Sequence, residues 1–404
     1  MAVGYSQLPE LLPVAGIRWG ITQAGVRYKN RRDLVVMELA SGSTVAAAFT
    51  RNAFCAAPVT VAREHLAAAT PRYLLINTGN ANAGTGAPGL AAARECCAGL
   101  AGLAGIGPEQ ILPFSTGVIG EPLPVERIVA GLPAALAALD AGGWAEAAHG
   151  IMTTDTVAKG LSKQVEIAGK TITVTGIAKG SGMIRPDMAT MLSYIATDAA
   201  VSRELLQEVL DHALNHSFNR VTVDGDTSTN DACVLVATGA AGVTIDAPGA
   251  TLEALGTAIT DICRFLAQLL IRDGEGATKF VSVRVGGGRD TDECLRVAYT
   301  VAHSPLVKTA LSASDPNWGR ILAAVGRAGV ENLVLEDVEI YLDEVCIVRQ
   351  GARAADYTEE QGKRVMSQAE FLIDIRLGRG SVTETVWTCD FSAEYVRINA
   401  DYRS

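Results

Sequence analysis

Short runs in which apolar and polar residues alternate recur along the chain, and they predict β-strands. Two such runs, DLVVMEL at 33–39 and STVAAAF at 43–49, flank an Ala-Ser-Gly turn and predict a β-hairpin. Within 163–180, the runs QVEIA and TITVTGIA meet at Gly169-Lys170, which predicts a second hairpin. Further strands are predicted at 72–76, 191–197 and 281–285. Gly286–Gly288 follows the last of these strands and is expected to be a loop.

In four other stretches the apolar residues recur every three or four positions, which is typical of α-helices. The predicted helices cover 90–103, 125–139, 201–215 and 252–270. Pro133 interrupts the second helix and is expected to divide it in two. Strands and helices alternate irregularly, with hairpins and no repeated βαβ unit. We therefore expect an α+β fold with mixed or antiparallel sheets.

Charge and hydropathy exclude two classes of partner. The chain has 404 residues and a formal net charge of −10, and it has no basic run longer than Lys29–Arg32, so a nucleic-acid interface is not expected. The apolar region 128–151 is broken by Pro133, Asp140 and Glu146 and is not expected to span a membrane. The N-terminus lacks the pattern of a secretory leader. These features predict a soluble, cytoplasmic protein.

Neither the cysteines nor the acidic residues show a metal-binding pattern. The 8 cysteines include no CxxC pair, and the adjacent Cys96 and Cys97 fall within a predicted helix, so reduced, buried thiols are expected. The oxygen-rich run VDGDTSTND at 223–231 lacks the closing Glu of a calcium-binding loop. No metal is expected.

Thr190, which follows Ala189 in the run KGSGMIRPDMATML at 179–192, is a candidate nucleophile. A Thr hydroxyl becomes reactive when a base lies beside it, and its own α-amine can serve if the preceding peptide bond is cut. On spacing alone, however, a β-branched residue that begins a strand is the favoured interpretation.

Three other features could form a site around such a nucleophile. Thr116 and Gly117 follow a short apolar run, where a hydroxyl and a backbone N–H can point at one oxyanion. Lys179 lies beside a flexible Gly-Ser-Gly turn. Glu275 lies between two glycines and could reach a ligand from a tight turn. Each feature alone is weak.

Together, these motifs resemble the ornithine acetyltransferase family, arginine-biosynthesis enzymes that are also called glutamate N-acetyltransferases. The matching runs keep their order and relative spacing from about residue 40 to residue 404. They are NTGNANA at 77–83, ILPFSTGVIG at 111–120, TTDT at 153–156, KGSGMIRPDMATML at 179–192, DGDTSTN at 224–230, RDGEGATK at 272–279, SPLVKTALSASDPNWG at 304–319 and CDFSAEYVRINADYRS at 389–404.

The resemblance implies a reaction and a processing step. The precursor would cut itself between Ala189 and Thr190, leaving segments 1–189 and 190–404. Thr190 would then carry an acetyl group from N-acetylornithine to glutamate, with Thr116 and Gly117 supporting the oxyanion. The implied substrate contacts are Thr153, Lys179, Thr190, Glu275, Asn399 and Ser404. At position 404 the family has Thr, and Ser keeps the hydroxyl but loses the methyl group.

The resemblance also implies an architecture and an assembly. Sheets would be layered between helices in an α-β-β-α arrangement with two subdomains, and two copies of each cleaved segment would form a heterotetramer. No cofactor is needed, and acetyl-CoA would be an acetyl donor only in bifunctional members.

Two other functions compete with this interpretation. A self-processing amidohydrolase or aminopeptidase with an N-terminal nucleophile would pass its acyl group to water. A structural or binding protein with an incidental Thr-rich strand would not be cleaved at all.

Overall fold

A computed structural model describes residues 2–185 and 191–400. The strands in this part of the chain are β1 Ile17–Thr22, β2 Leu34–Leu39, β3 Thr44–Phe49, β4 Tyr73–Asn80, β5 Ile111–Val118, β6 Lys159–Ile167, β7 Lys170–Lys179, β8 Leu192–Thr197, β9 Ala200–Val201, β10 Val221–Thr222, β11 Ala232–Ala237, β12 Thr244–Ile245, β13 Phe280–Gly288, β14 Glu339–Leu342, β15 Val345–Arg349, β16 Ala352–Arg353, β17 Glu370–Arg376 and β18 Val382–Cys389. The α-helices are α1 Ala57–Ala68, α2 Gly86–Ala104, α3 Val125–Ala137, α4 Trp144–Gly150, α5 Arg203–Asn215, α6 Ala250–Arg272, α7 Thr291–Ala302, α8 Pro305–Ser312, α9 Trp318–Gly326, α10 Glu359–Met366 and α11 Ala393–Ala400.

Two mixed sheets stack face to face at the centre of the molecule. The first has the strand order β1-β2-β4-β5, and the second has the order β3-β11-β8-β7-β6. Side chains from both sheets fill the space between them, and the ring of Tyr194 on β8 meets the rings of Trp19 on β1 and Phe114 on β5 edge to face. This dry layer fixes the two sheets against each other.

Helices cover the outer face of each sheet. Val36 and Leu75 of the first sheet pack against α2 and α3, whereas Ile172 and Ile195 of the second sheet pack against α5 and α6. Each central strand therefore buries both of its faces, which is why β2 is almost continuously apolar. The resulting α-β-β-α layering confirms the expected fold.

A second subdomain is built on a seven-stranded sheet with the order β10-β18-β13-β17-β14-β15-β16. Val283 and Ile373 of this sheet pack against Val297 and Val301 of α7 and Val325 of α9. This sheet adjoins the central layers because Phe280 and Cys389, at the ends of β13 and β18, belong to the core beneath α6.

Three local predictions were wrong. Strands β2 and β3 do not form a hairpin, because β3 pairs with β11. The turn between β2 and β3 carries the chain from one stacked sheet to the other. Helix α3 is not divided, because the burial of Ile128, Leu132 and Ala135 outweighs the hydrogen bond lost at Pro133. Gly286–Gly288 forms the end of β13 rather than a loop. By contrast, the hairpin between β6 and β7 is confirmed.

Helix α6 is long and apolar enough to cross a membrane by length and composition alone. In the structure 61% of its most apolar window is buried, and Leu255, Ile262 and Leu266 pack into the core under the second sheet. Helix α6 is therefore a core helix, and core helices can be as long and as apolar as membrane-spanning ones.

The second sheet takes its strands from both sides of position 189. Strands β8 and β11, from segment 190–404, lie between β3 on one side and β7 and β6 on the other, all from segment 1–189. The two predicted segments are therefore not separate structural units in the described part of the chain.

Candidate active site

A cavity of about 460 Å³ lies where the two central sheets meet the loop after α6 and the C-terminal helix α11. This volume suits a small molecule. Its walls come from distant parts of the chain and are formed by Ala81, Thr116, Gly117, Val118, Ile119, Thr153, Thr154, Lys179, Ser181, Gly182, Met183, Ser228, Thr229, Asn230, Glu275, Asn399 and Ala400. The predicted site residues Thr116, Gly117, Thr153, Lys179, Glu275 and Asn399 all line it.

The remaining predicted site residues, Ala189, Thr190 and Ser404, lie outside the described residues. Met191, which follows Thr190 in the sequence, borders a small chamber of about 30 Å³. That chamber shares Thr116 and Lys179 with the main cavity. Met191, the residue directly after the predicted nucleophile, thus lies next to the site.

Thr116 and Gly117 are held at the end of β5 by an unusually close approach to β4. Gly117 has φ +135°, and a Cβ atom added there would lie 2.3 Å from the carbonyl carbon of Gly79 and 2.5 Å from the nitrogen of Asn80. Only glycine fits this position. The Thr116 hydroxyl accepts a hydrogen bond from Lys179 Nζ at 3.1 Å, which leaves its own proton available for donation.

Lys179, at the end of β7, places a cation at the cavity wall. Its side chain is partly exposed there. Burial and the neighbouring Lys159 ammonium group lower the pKa of the Lys179 ammonium group, while the carboxylate of Asp155 opposes that shift. Such a desolvated cation attracts a carboxylate more strongly than one in water does.

Glu275 and Asn399 meet across the cavity. The backbone N–H of Glu275 donates to the carbonyl of Ser181 at 2.8 Å, and its carboxylate accepts a hydrogen bond from Asn399 Nδ2, also at 2.8 Å. A Cβ atom at Gly182 would lie 2.4 Å from that carboxylate. Gly182, the second glycine of the Gly-Ser-Gly turn, therefore leaves the space that the Glu275 carboxylate occupies in the site.

A buried group of charges beneath Thr153 was not predicted from the sequence. Asp155 and Asp273 each bind Lys159 Nζ at 2.6 Å, and all three side chains are almost wholly buried. Burial raises the pKa of the Asp155 carboxyl group, but Lys159 and Lys179 outweigh this and hold it well below its usual range. The sequence carries no signal for this group, because TTDT followed by Lys159 looks like a polar strand end.

The loop that joins β10 to β11 supplies another wall, also without a sequence signal for its individual roles. Asn230 donates from Nδ2 to the carbonyls of Ala81 and Ser115, at 2.6 and 2.9 Å, which ties this loop to the first sheet. Asp224 accepts hydrogen bonds from the N–H groups of Met183 and Ile184. Within residues 2–185 and 191–400, no three His, Cys, Asp or Glu side chains are grouped to hold a metal ion.

The layered fold holds a small cavity lined by hydroxyl groups, an ammonium group and a carboxylate, an arrangement typical of enzymes that bind small, charged molecules. Comparison with known proteins names the family. The ArgJ family model matches residues 18–404. The arginine biosynthesis bifunctional proteins ArgJ of Pseudomonas syringae pv. tomato and Pseudomonas fluorescens are each 60% identical to this chain over 406 residues, and the whole of both chains is aligned in each case.

Two solved structures are among the proteins that this chain resembles. The arginine biosynthesis bifunctional protein ArgJ of Bacillus halodurans is 38% identical, with 52% of this chain and 99% of that chain covered and a TM-score of 0.50. The ornithine acetyltransferase of Mycobacterium tuberculosis in complex with ornithine is 33% identical, with 44% and 94% covered and a TM-score of 0.39. The chain belongs to the ArgJ family, as its motifs predicted, and is an acetyltransferase of arginine biosynthesis.

Proposed function

We propose that the enzyme transfers the acetyl group of N-acetylornithine to glutamate through an acetyl ester on Thr190. One observation carries the proposal: six residues that the family resemblance assigns to catalysis or substrate binding line a single cavity beside Met191. A cation, a carboxylate and several hydroxyl groups at one small cavity match the charged ends and the amide of an acetylated amino acid.

The nucleophile would be made by self-cleavage. Thr190 Oγ attacks the Ala189 carbonyl carbon, the peptide C–N bond breaks and releases the α-amine of Thr190, and water then hydrolyses the resulting ester to free the Thr190 hydroxyl and the Ala189 carboxylate.

Turnover then takes two half-reactions. The α-amine of Thr190 removes the proton from its own hydroxyl, which attacks the acetyl carbonyl. The Thr116 hydroxyl and the Gly117 N–H stabilise the oxyanion, an interaction whose loss typically costs about 10²–10³ in rate. Ornithine leaves with the proton, and the amine of glutamate attacks the acetyl ester to release N-acetylglutamate. A covalent intermediate predicts ping-pong kinetics.

Recognition of the two substrates would depend on charge. Lys179 binds the carboxylate that both amino acids carry, and Glu275, held by Asn399, binds a substrate amine. Thr153, Asn399 and Ser404 complete the contacts. Ser404 supplies the hydroxyl of the family's Thr without its methyl group.

The relatives' name, bifunctional, supports a second activity: acetylation of glutamate with acetyl-CoA as donor, and without a resident cofactor. We further propose that two copies of each cleaved segment assemble as a heterotetramer. A cytoplasmic location agrees with the 8 unpaired cysteine thiols, which persist in a reducing compartment.

Intact mass spectrometry under denaturing conditions tests the proposal. We expect two species that meet between Ala189 and Thr190, and addition of N-acetylornithine should add one acetyl group to the 190–404 species alone. A later chase with glutamate should remove that group as N-acetylglutamate. Release of acetate regardless of glutamate would identify a hydrolase, and a single uncut chain would overturn the mechanism.

A further inference from the structure

Three stretches that carry substrate-contact residues converge on one ammonium group. Lys159 Nζ binds Asp155 Oδ1 and Asp273 Oδ2, both at 2.6 Å, and the Lys159 side chain is fully buried. Lys159 is not among the residues that line the cavity. Its contacts therefore matter through the residues that they hold.

Asp155 fixes two of these stretches. Its Oδ2 accepts from the N–H of Thr153 at 3.0 Å, and its Oδ1 accepts from the N–H of Gly180 at 2.7 Å. Gly180 directly follows Lys179. The orientation of the Thr153 and Lys179 backbones is therefore set by a carboxylate that Lys159 keeps ionised and in place.

Asp273 fixes the third stretch. It accepts from both the N–H and the hydroxyl of Thr156, and it lies two residues before Glu275. The N–H of Glu275 in turn donates to the carbonyl of Ser181. The contacts close a ring, from Asp155 to Gly180 and Ser181, on to Glu275 and Asp273, and back through Lys159. We call this set the Lys159 ring.

We propose that Lys159 is a positioning residue that holds Lys179, Glu275 and Thr153 in one mutual geometry, so that the cavity can bind both substrates of the proposed acetyl transfer. The inference rests on the proposed function for its kinetic consequence. Its structural consequence, that loss of the ammonium group loosens three stretches of chain at once, is independent of it. Two buried carboxylates without their counterion repel each other and draw in water, which opens the ring.

Lys159→Met and Asp273→Asn test the proposal, with Lys163→Met as the matched control. Lys163 lies on the same strand, β6, and pairs at 2.5 Å with Asp261 of α6, the helix that directly precedes Asp273. Neither Lys163 nor Asp261 lines the cavity. Asp273→Asn keeps the side-chain size while removing one charge, so it serves if Lys159→Met does not fold. Kinetics are referred to the cleaved fraction, measured by mass spectrometry.

We expect both ring variants to raise KM for N-acetylornithine and for glutamate at least tenfold, with a smaller change in kcat, whereas Lys163→Met keeps the wild-type KM. Hydrogen–deuterium exchange should accelerate together at 153–157, 179–181 and 273–275 in the ring variants only. Folded ring variants with unchanged KM, or with faster exchange confined to the mutated stretch, would overturn the proposal. If the wild-type enzyme makes no N-acetylglutamate, the proposed function fails, and the exchange pattern still decides the ring.

Discussion

Lys179 lies at the cavity wall, so its replacement directly tests how the substrates are recognised. Lys179→Met should raise KM for both substrates by about tenfold or more, because the carboxylate of each loses a cation in a partly desolvated site. The natural control is Lys170→Met, at the other end of strand β7, where the ammonium group donates to the carbonyls of Ala241 and Gly242 near the surface. Steady-state kinetics with each substrate varied in turn measure the effect. Unchanged KM values would remove Lys179 from the site.

The carboxyl group of Asp231 makes stability depend on pH. Burial raises its pKa well above the ordinary value, and Oδ2 has no hydrogen-bond partner among the described residues. The folded state therefore binds the proton more tightly than the unfolded chain. Its contribution to stability is fully present below about pH 4, the unfolded pKa, and is lost as pH rises through the folded pKa. Asp231→Asn should stabilise the protein at neutral pH by roughly 1–3 kcal/mol.

Urea unfolding between pH 4 and pH 8 measures this effect, and Asp155→Asn is the control of opposite sign. Although burial alone would raise the pKa of Asp155, Lys159 and Lys179 lower it overall. The stability that Asp155 contributes is therefore present above the unfolded pKa and is lost as pH falls. Asp155→Asn should weaken the protein at neutral pH. If the Asp231→Asn and wild-type curves run parallel, Asp231 does not titrate as described.

At the residue scale, the sequence could predict groups that keep a recognisable motif around them. Thr116 and Gly117 stand in a run whose order of residues is itself the signal, and both line the cavity. Lys159 and Asp231 could not be predicted, because the importance of both comes from burial, and that of Lys159 also from its contact with Asp273, more than a hundred residues along the chain. A single sequence records neither property.

At the scale of elements, the pairing of β4 with β5 constrains the site. Gly117→Ala would place a methyl group within 2.3 Å of the Gly79 backbone, so β5 must move away from β4. We expect kcat to fall by about 10²-fold or more as the two proposed oxyanion donors are displaced. Gly102→Ala on α2, where an added Cβ meets nothing within 4 Å, should leave activity unchanged and serves as the control. Wild-type kcat in a folded Gly117→Ala variant would argue against the oxyanion role.

The hairpin of β6 and β7 was predictable because alternation and a Gly-Lys turn sit together in one short stretch, and its pairing ends at Ile167 with Lys170. The pairing of β3 with β11 was not predictable from the sequence, because these two strands are about 190 residues apart in the chain. Both β2 and β3 are apolar on two faces, so their pattern does not tell a hairpin from a crossing between stacked sheets.

At the scale of the whole molecule, the second sheet joins the two predicted segments. Six residue pairs link β3 to β11, and another six link β7 to β8, on the two sides of a strand pair from segment 190–404. We expect the cleaved pieces to elute together in native size-exclusion chromatography and to separate only in denaturant. Separate elution in native buffer would contradict this arrangement.

Because the second sheet takes strands from both predicted segments, its formation depends on whether the chain is intact or cleaved. Before cleavage, folding is a rearrangement within one chain, and its equilibrium does not depend on concentration. After the proposed cleavage, the same sheet could form only when two chains meet, so unfolding would become a dissociation and stability would vary with dilution. The covalent link between β7 and β8 would be lost, and the entropic cost of bringing the two strands together would grow. Cleavage would thus free the amine of Thr190 and weaken the ability of the protein to refold. The uncut precursor would recover from denaturation, whereas the mature form at low concentration would not.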